Sequence, residues 1–503
     1  MTEFDPFARH VFYDNEFHAS QSSDSIEVID PATEEPVGEV ADCSADEVES
    51  VIDRATDAQT AWERLDAKTR ASFLHDVAGS IESSGFDDAA ELMTKEHGKP
   101  FPEAEGELAN VAPVFRYYAE MARDEAGRIP GSTQSESFQF YRYFPYGVTV
   151  HIVPSNFPVL LTAWTVAASL AAGNAAIVKP SELTPLSTLR FMEHFRELPS
   201  GLVSCLTGRG ETAQTLLRSP DTDAAAFTGG VETGRKVNTA CAEQLMPAVI
   251  EAGGNDPMIV TEHAPMDVAV PGSATAAFHL SGQVCTASER FYVHEAVHDE
   301  FVEGLVDIAR SLRVGNGLAD NEIGPLVSEA ARKKVQRLVD GAVEDGATVA
   351  CGGRIPPEHD DGWFYEPTVL TDVTPDMAVT TEETFGPVAP ICEVSSFEKA
   401  VGLANRTEYG LGASVFTTDL RESMAAYESL EAGMVWINNP IIDNDAVPFG
   451  GWKRSGIGRE LGREGLNAFR RTKMGVLDWN PTVQEWWYPY PDEWFYTSGG
   501  ERF

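Results

Sequence analysis

Residues 152–178, "IVPSNFPVLLTAWTVAASLAAGNAAIV", carry no charged side chain, and their reading decides the fold. A charge-free run of this length looks at first like a membrane span. Its punctuation argues otherwise. Pro158 suits the start of a helix and Gly173-Asn174 suits its end. That leaves about 14 helical residues, or about 21 Å, against a bilayer core of roughly 30 Å. "AAIV" at 175–178 then reads as a buried strand. The expected order is strand, loop, buried helix, strand, with no membrane anchor.

The same rhythm continues outward. Short apolar strands alternate with helices in "GVTVHIVP", "AAIVKP", "VSCLTG", "AAAFTG" and "PAVIEAGG". Such alternation implies a parallel, doubly wound α/β sheet. A second run follows Glu251, in "MIV", "ERFYVH", "YEPTVLTDV", "APICEV" and "GASVFT". Two α/β units are therefore expected. Upstream, "SADEVESVIDRATDAQTAWERL" begins with Ser44 and Glu47 at capping-box spacing and carries an apolar stripe of helical period. "FQFYRYF" at 138–144 alternates like a strand outside both units, and the end of the chain, from Trp479, is rich in aromatics and proline.

Composition narrows the function. With 503 residues and 43% hydrophobic side chains, the chain suits a globular protein of roughly three domains. The net charge of −42 repels phosphate backbones and anionic lipid, so nucleic acid and membrane surface are not expected partners. Ten of the 37 basic residues are lysine and 27 are arginine. Acid excess with scarce lysine points to adaptation to high salt, where counterions screen self-repulsion. Six cysteines, at 43, 205, 241, 285, 351 and 392, form no CxxC pair, so neither a metal site nor a disulfide framework is signalled. The N-terminus lacks a basic and apolar leader, which makes a reducing cytoplasm the expectation.

Cys285 sits in "HLSGQVCTASER". Alone, such a cysteine is more often a packed core thiol than a nucleophile. Its company changes the reading. Glu251 ends an apolar strand before two glycines, where α/β enzymes place their chemistry. Asn156 follows another strand, and its amide suits donation to a developing oxyanion. Lys179 and Glu182, in "IVKPSE", suit ribose hydroxyls or a phosphate. Gly229, Gly230 and Gly234, in "AAFTGGVETG", let backbone N–H groups approach a pyrophosphate at a helix start.

In this order, "SNFP", "KPSE", "FTGG", "EAGGNDP", "GQVCTAS", "EETFGPV" (382–388) and "PFGGWKRSGIGRE" (448–460) resemble the motifs of the aldehyde dehydrogenase superfamily across nearly the whole chain. The resemblance implies NAD(P)-dependent oxidation of an aldehyde to the acid, of the hydrolytic type. Cys285 would attack the carbonyl, with Asn156 and the Cys285 N–H stabilising the oxyanion. Hydride would pass to nicotinamide, and Glu251 would activate water against the thioester. Lys179 and Glu182 would hold the adenosine ribose. Glu383 would hold the nicotinamide ribose, with Phe385 beside the ring. Phe157, Trp164, Val284 and Thr286 would line the substrate pocket together with the loop 440–447. Glu182 favours NAD over NADP, though Lys179 leaves NADP open.

The resemblance further implies three parts: an NAD(P)-binding Rossmann-like domain (1–125 and 146–253), an α/β catalytic domain (254–470) and a small β oligomerisation element with the tail (126–145 and 471–503). A homodimer or homotetramer is expected. Ser155, Gly230 and Ala252 depart from the family's usual tryptophan, serine and leucine. Two alternatives are an acylating dehydrogenase that uses coenzyme A, against which Glu251 argues, and a silent binding protein on the same fold.

Overall fold

Strands that the sequence writes as unbroken apolar runs are buried along their whole length, because helices cover both faces of a parallel sheet. The structure, a computed structural model, describes residues 4–502 except 125, 497, 499 and 501. The expected boundary at residue 125 and the last residue, 503, lie outside the described residues. By contact, Met1–Asp124 and Pro145–Arg470 form one compact unit, and Glu125–Phe144 with Arg471–Phe503 form another.

In chain order, the elements that build the site are helix α1 (Phe101–Ala109), strand β1 (Val148–Ile152), helix α2 (Leu160–Ala172), strand β2 (Ala175–Lys179), strand β3 (Ala224–Thr228), helix α3 (Val231–Glu243), strand β4 (Ala248–Glu251) and strand β5 (Ser288–His294). The charge-free run resolves as read. Helix α2 has 13 residues, nearly all buried, and ends at Gly173, whose φ of 106° is left-handed. Among the described residues no helix is long and apolar enough to cross a membrane.

Strands β1 to β4 pair in parallel, with Ile152 beside Lys179 and Thr228 beside Glu251. They belong to an eight-stranded sheet. Two contributions to it come from far away. The hairpin of His10–Tyr13 and Glu16–Ala19 joins one edge antiparallel to Val203–Cys205. At the other edge, Gly456–Ile457 pairs antiparallel with β4. A seven-stranded sheet holds β5 between Asp256–Val260 and Val388–Val394. In the second unit, the long strand read at 138–144 spans Ser137–Pro145 and lies between Gly127–Arg128 and Arg470–Asp478.

Ser44 caps the helix Ala45–Trp62 by accepting from the Glu47 N–H. The reciprocal half of the box does not form. Glu47 instead accepts from the Ser20 hydroxyl at 2.6 Å and the Gln21 N–H at 3.2 Å, because the N-terminal hairpin offers donors that the local sequence did not show.

Candidate active site

The C-terminal ends of β1, β2, β3 and β4 deliver their loops to one side of the sheet, as doubly wound folds do. Cys285 arrives from the loop before β5 and lines a cavity of about 220 Å³ with Asn156, Gly229, Gly230, Glu383 and Phe385. The thiol is half-buried while the surrounding apolar side chains are closed over.

Glu251 is 2% exposed, and neither of its oxygens has a partner of good hydrogen-bond geometry. Burial drives its carboxyl well above the usual carboxylate range, the charge of Glu460 adds to this, and the Cys285 thiol is its polar neighbour. Burial likewise drives the Cys285 thiol up, reinforced by Glu251 and Asp256. The two groups are therefore arranged so that both resist ionisation at once. One proton moved between them, or to water, changes which can react.

Asn156 is 2% exposed and its side-chain amide donates to the Gln283 carbonyl at 3.0 Å. An amide nitrogen carries two protons, so a second donor remains for a group in the cavity. The backbone carbonyl of Asn156 accepts from Lys99 Nζ at 2.5 Å.

A larger groove of about 820 Å³ continues from this cavity along β2, β3 and α3, and Lys179, Glu182, Gly229 and Gly230 line it. Lys179 Nζ stands 3.5 Å from Glu182 Oε2; the lysine side chain is 5% exposed and the glutamate 46%. Burial lowers the lysine pKa, which Glu182 opposes. Gly230 precedes the first turn of α3 in extended conformation, so the N–H end of a 13-residue helix opens into the groove. Gly234 lies against β4: a Cβ there would sit 3.1 Å from Ile250.

Glu383 accepts from the Gly254 N–H at 3.2 Å. Gly253 has φ +71°, and a Cβ there would stand 2.6 Å from the Glu383 carboxylate, so this close approach requires glycine. Phe385 is left-handed at φ 53°. Its conformation is held by Glu289, which accepts from the N–H groups of Thr384 at 2.7 Å and Phe385 at 2.6 Å.

None of the four expected pocket residues, Phe157, Trp164, Val284 and Thr286, lines the cavity that Cys285 shares with Asn156. Phe157 packs with Leu280, Val284 and Ala287. Trp164 is 4% exposed and meets Phe449 edge-to-face at 4.9 Å. Thr286 is buried. Sequence reasoning missed Glu289, Glu460, Lys99 and also Lys334, which lines the cavity beside Cys285 and whose charge opposes the burial that raises the Glu383 carboxyl. Glu460 lies within a motif that was read, but its effect on Glu251 depends on a sheet edge formed over two hundred residues of chain.

Residues 17–474 match the model of the Aldehyde dehydrogenase family. Among curated relatives, aminoaldehyde dehydrogenase 1, peroxisomal, of Pisum sativum is 36% identical over 97% of this chain and 99% of its own length. Betaine aldehyde dehydrogenase of Bacillus subtilis (strain 168) is 35% identical over 95% and 99%. Betaine aldehyde dehydrogenase from Staphylococcus aureus, solved in complex with NAD+, superposes with a TM-score of 0.92 at 31% identity, covering 96% of this chain and 97% of that one. An E. coli NADP dependent enzyme superposes at 0.91 with 35% identity, covering 94% and 98%. With its strand-end motifs gathered on one cavity, this chain belongs to the aldehyde dehydrogenase family.

Proposed function

We propose that the chain oxidises a cationic aldehyde, of the betaine aldehyde or ω-aminoaldehyde type, to its acid with NAD and water. The observation that carries the reaction is the single cavity shared by Cys285, Asn156 and Glu383, with the unsatisfied Glu251 beside the thiol. Cys285 passes its proton to water, attacks the aldehyde carbon as the thiolate and forms a thiohemiacetal, whose oxyanion accepts from Asn156. A bound NAD, its nicotinamide ribose held by Glu383 and its ring beside Phe385, would supply the hydride acceptor that turns the thiohemiacetal into a thioester. Glu251 takes a proton from water as the water adds to the thioester, which releases the acid and the Cys285 sulfur. Glu251 supports water, rather than coenzyme A, as the acyl acceptor.

Three things support a cationic substrate. Three of the four proteins named above carry betaine aldehyde or aminoaldehyde in their names. Phe385 lines the cavity beside Cys285, and aromatic faces attract ammonium groups. The loop at 440–447 carries Asp443 and Asp445 and no basic residue. Glu182 supports NAD, since a carboxylate accepts from a ribose 2′-hydroxyl and repels a 2′-phosphate.

Rates of NADH or NADPH formation test both choices, using betaine aldehyde, 4-aminobutanal, butanal and succinic semialdehyde. Catalytic efficiency is expected to be at least about tenfold higher for the cations than for the anion, about 1.4 kcal/mol of discrimination, and higher with NAD than NADP. Equal efficiency for cation and anion rejects the substrate class. Turnover only with added coenzyme A rejects Glu251 as the hydrolytic base.

The remaining readings join this proposal. The segments 126–145 and 471–503 form an oligomerisation element, supported by the exposed Trp479, Trp486, Trp487 and Tyr488. The acidic surface belongs to a cytoplasmic protein of a high-salt cell. Circular dichroism should show the fold intact in molar KCl and lost in dilute buffer; a fold indifferent to salt counts against that origin.

A further inference from the structure

Four residues outside the reaction scheme, Lys99, Glu103, Glu107 and Gln283, close a circuit around the two loops that carry it. Lys99 Nζ is fully buried and donates to Glu107 Oε2 at 2.6 Å and to the Asn156 carbonyl at 2.5 Å. It also lies 4.8 Å from the centroid of the Phe157 ring. The other oxygen of Glu107 accepts from the N–H groups of Val159 at 2.9 Å and Leu160 at 3.0 Å, at the start of α2. One ion pair thus grips both ends of the segment 156–160.

One helical turn earlier on α1, Glu103 grips the other loop. Its Oε1 accepts from the Leu280 N–H at 3.2 Å and pairs with His279 at 3.0 Å. That loop needs holding, because Leu280 and Ser281 are both left-handed, at φ 55° and 57°, a conformation that side-chain-bearing residues adopt at a cost. The circuit closes through Gln283, whose side-chain amide donates to Leu280 O at 3.1 Å and whose carbonyl accepts from Asn156 at 3.0 Å. Residues four apart on a helix lie on one face, so Glu103 and Glu107 set the spacing of what they hold.

We propose that α1 positions the reaction: Glu107, through Lys99, holds the Asn156 loop, Glu103 holds the Cys285 loop, and their one-turn spacing registers the amide against the thiol. These are positioning residues, and the inference rests on the reading of Asn156 as the oxyanion donor. Their work is to keep a preset geometry, since a displacement of about 1 Å at a reacting centre costs about a hundredfold in rate.

The test uses two probes of Cys285 that need neither cofactor nor the natural aldehyde. p-Nitrophenyl acetate acylates the sulfur through a tetrahedral oxyanion and releases p-nitrophenolate. Iodoacetamide alkylates the same sulfur by displacement of iodide, with no oxyanion. Glu107→Gln is expected to slow acylation by about tenfold or more while alkylation changes by less than about twofold. Placed in an Asn156→Ala background, Glu107→Gln should then slow acylation by less than about twofold further, because both act through one interaction. Glu103→Gln provides the same comparison if Glu107→Gln does not accumulate folded. An equal loss in both backgrounds, or alkylation slowed as much as acylation, overturns the positioning role and leaves a structural one. If Asn156→Ala alone leaves acylation unchanged, the role assigned to Asn156 fails, and the positioning role fails with it.

Discussion

Glu289, four residues after Cys285 in the chain, and Glu251, beside its thiol, are both buried carboxyls, and they differ in what surrounds their oxygens. Glu289 accepts from two backbone N–H groups and from the Asn255 side chain at 3.1 Å. Glu251 has no partner of good geometry on either oxygen. Burial raises both, Glu289 to about 8 even against its N–H donors. An acid whose lone pairs are committed to backbone holds a turn in place, here the one carrying Glu383 and Phe385. An acid left unsatisfied inside a protein costs free energy, and such a group keeps its lone pairs free for a substrate or a water. In the proposed scheme the contrast separates a structural carboxyl from a working one, though both would read alike in a sequence.

Glu251→Gln gives the largest expected effect. Steady-state turnover should fall by about 10²–10⁴, while one burst of reduced cofactor survives as acyl-enzyme accumulates. Rapid-quench or stopped-flow measurement checks this, and undiminished turnover would place the base elsewhere. The same substitution should leave thermal stability unchanged or raise it at pH 8. A carboxyl whose folded pKa is raised stabilises the fold fully below its unfolded pKa. That contribution is lost as pH rises through the folded value, and glutamine carries no such loss.

Glu289→Leu should do the reverse. It leaves the N–H groups of Thr384 and Phe385 without their acceptor, while the Asn255 amide keeps the Glu382 carbonyl at 3.0 Å. Unfolding should cost about 3 kcal/mol less, at about 1–3 kcal/mol per buried group left unpaired. The KM for NAD should rise with it, since Glu383 and Phe385 lose their support. A variant as stable as the wild type in denaturant titration would erase the distinction between the two acids.

Glu460→Gln gives the smallest and most specific effect. Glu460 is itself raised to about 7 by burial, with Thr228 donating to it at 3.1 Å. Above that pH its charge holds Glu251 up. Removing it should move the rising limb of the deacylation profile to lower pH, by on the order of one unit or less. An unmoved limb would show that the two carboxyls do not communicate.

Much of this arrangement was legible along the chain. The parallel strands read as unbroken apolar runs, and the helix between the first two was bounded by Pro158 and Gly173. Both signals are local and repeat with the period of the element they mark. Glu251 and Asn156 stood at or after strand ends and Cys285 within "GQVCTAS", where a family resemblance could attach roles to them. Lys99, Glu103 and Glu107 gave no such signal. In sequence they are ordinary charges on and before a short helix, and only burial separates them from solvated ones.

The reach of each interaction explains the division. Sequence by itself determined the α/β class, the order of the elements and the residue types at the strand ends, because propensity, period and turn chemistry act over a few residues. Tertiary structure alone decided which acids lost their water, which found N–H donors, and which stood beside Cys285. Desolvation and charge coupling depend on neighbours brought together across the fold, such as Gly456–Ile457 on the edge of β4 and Glu103 against Leu280. The chemistry of Glu251 is set by that company rather than by its place in the chain.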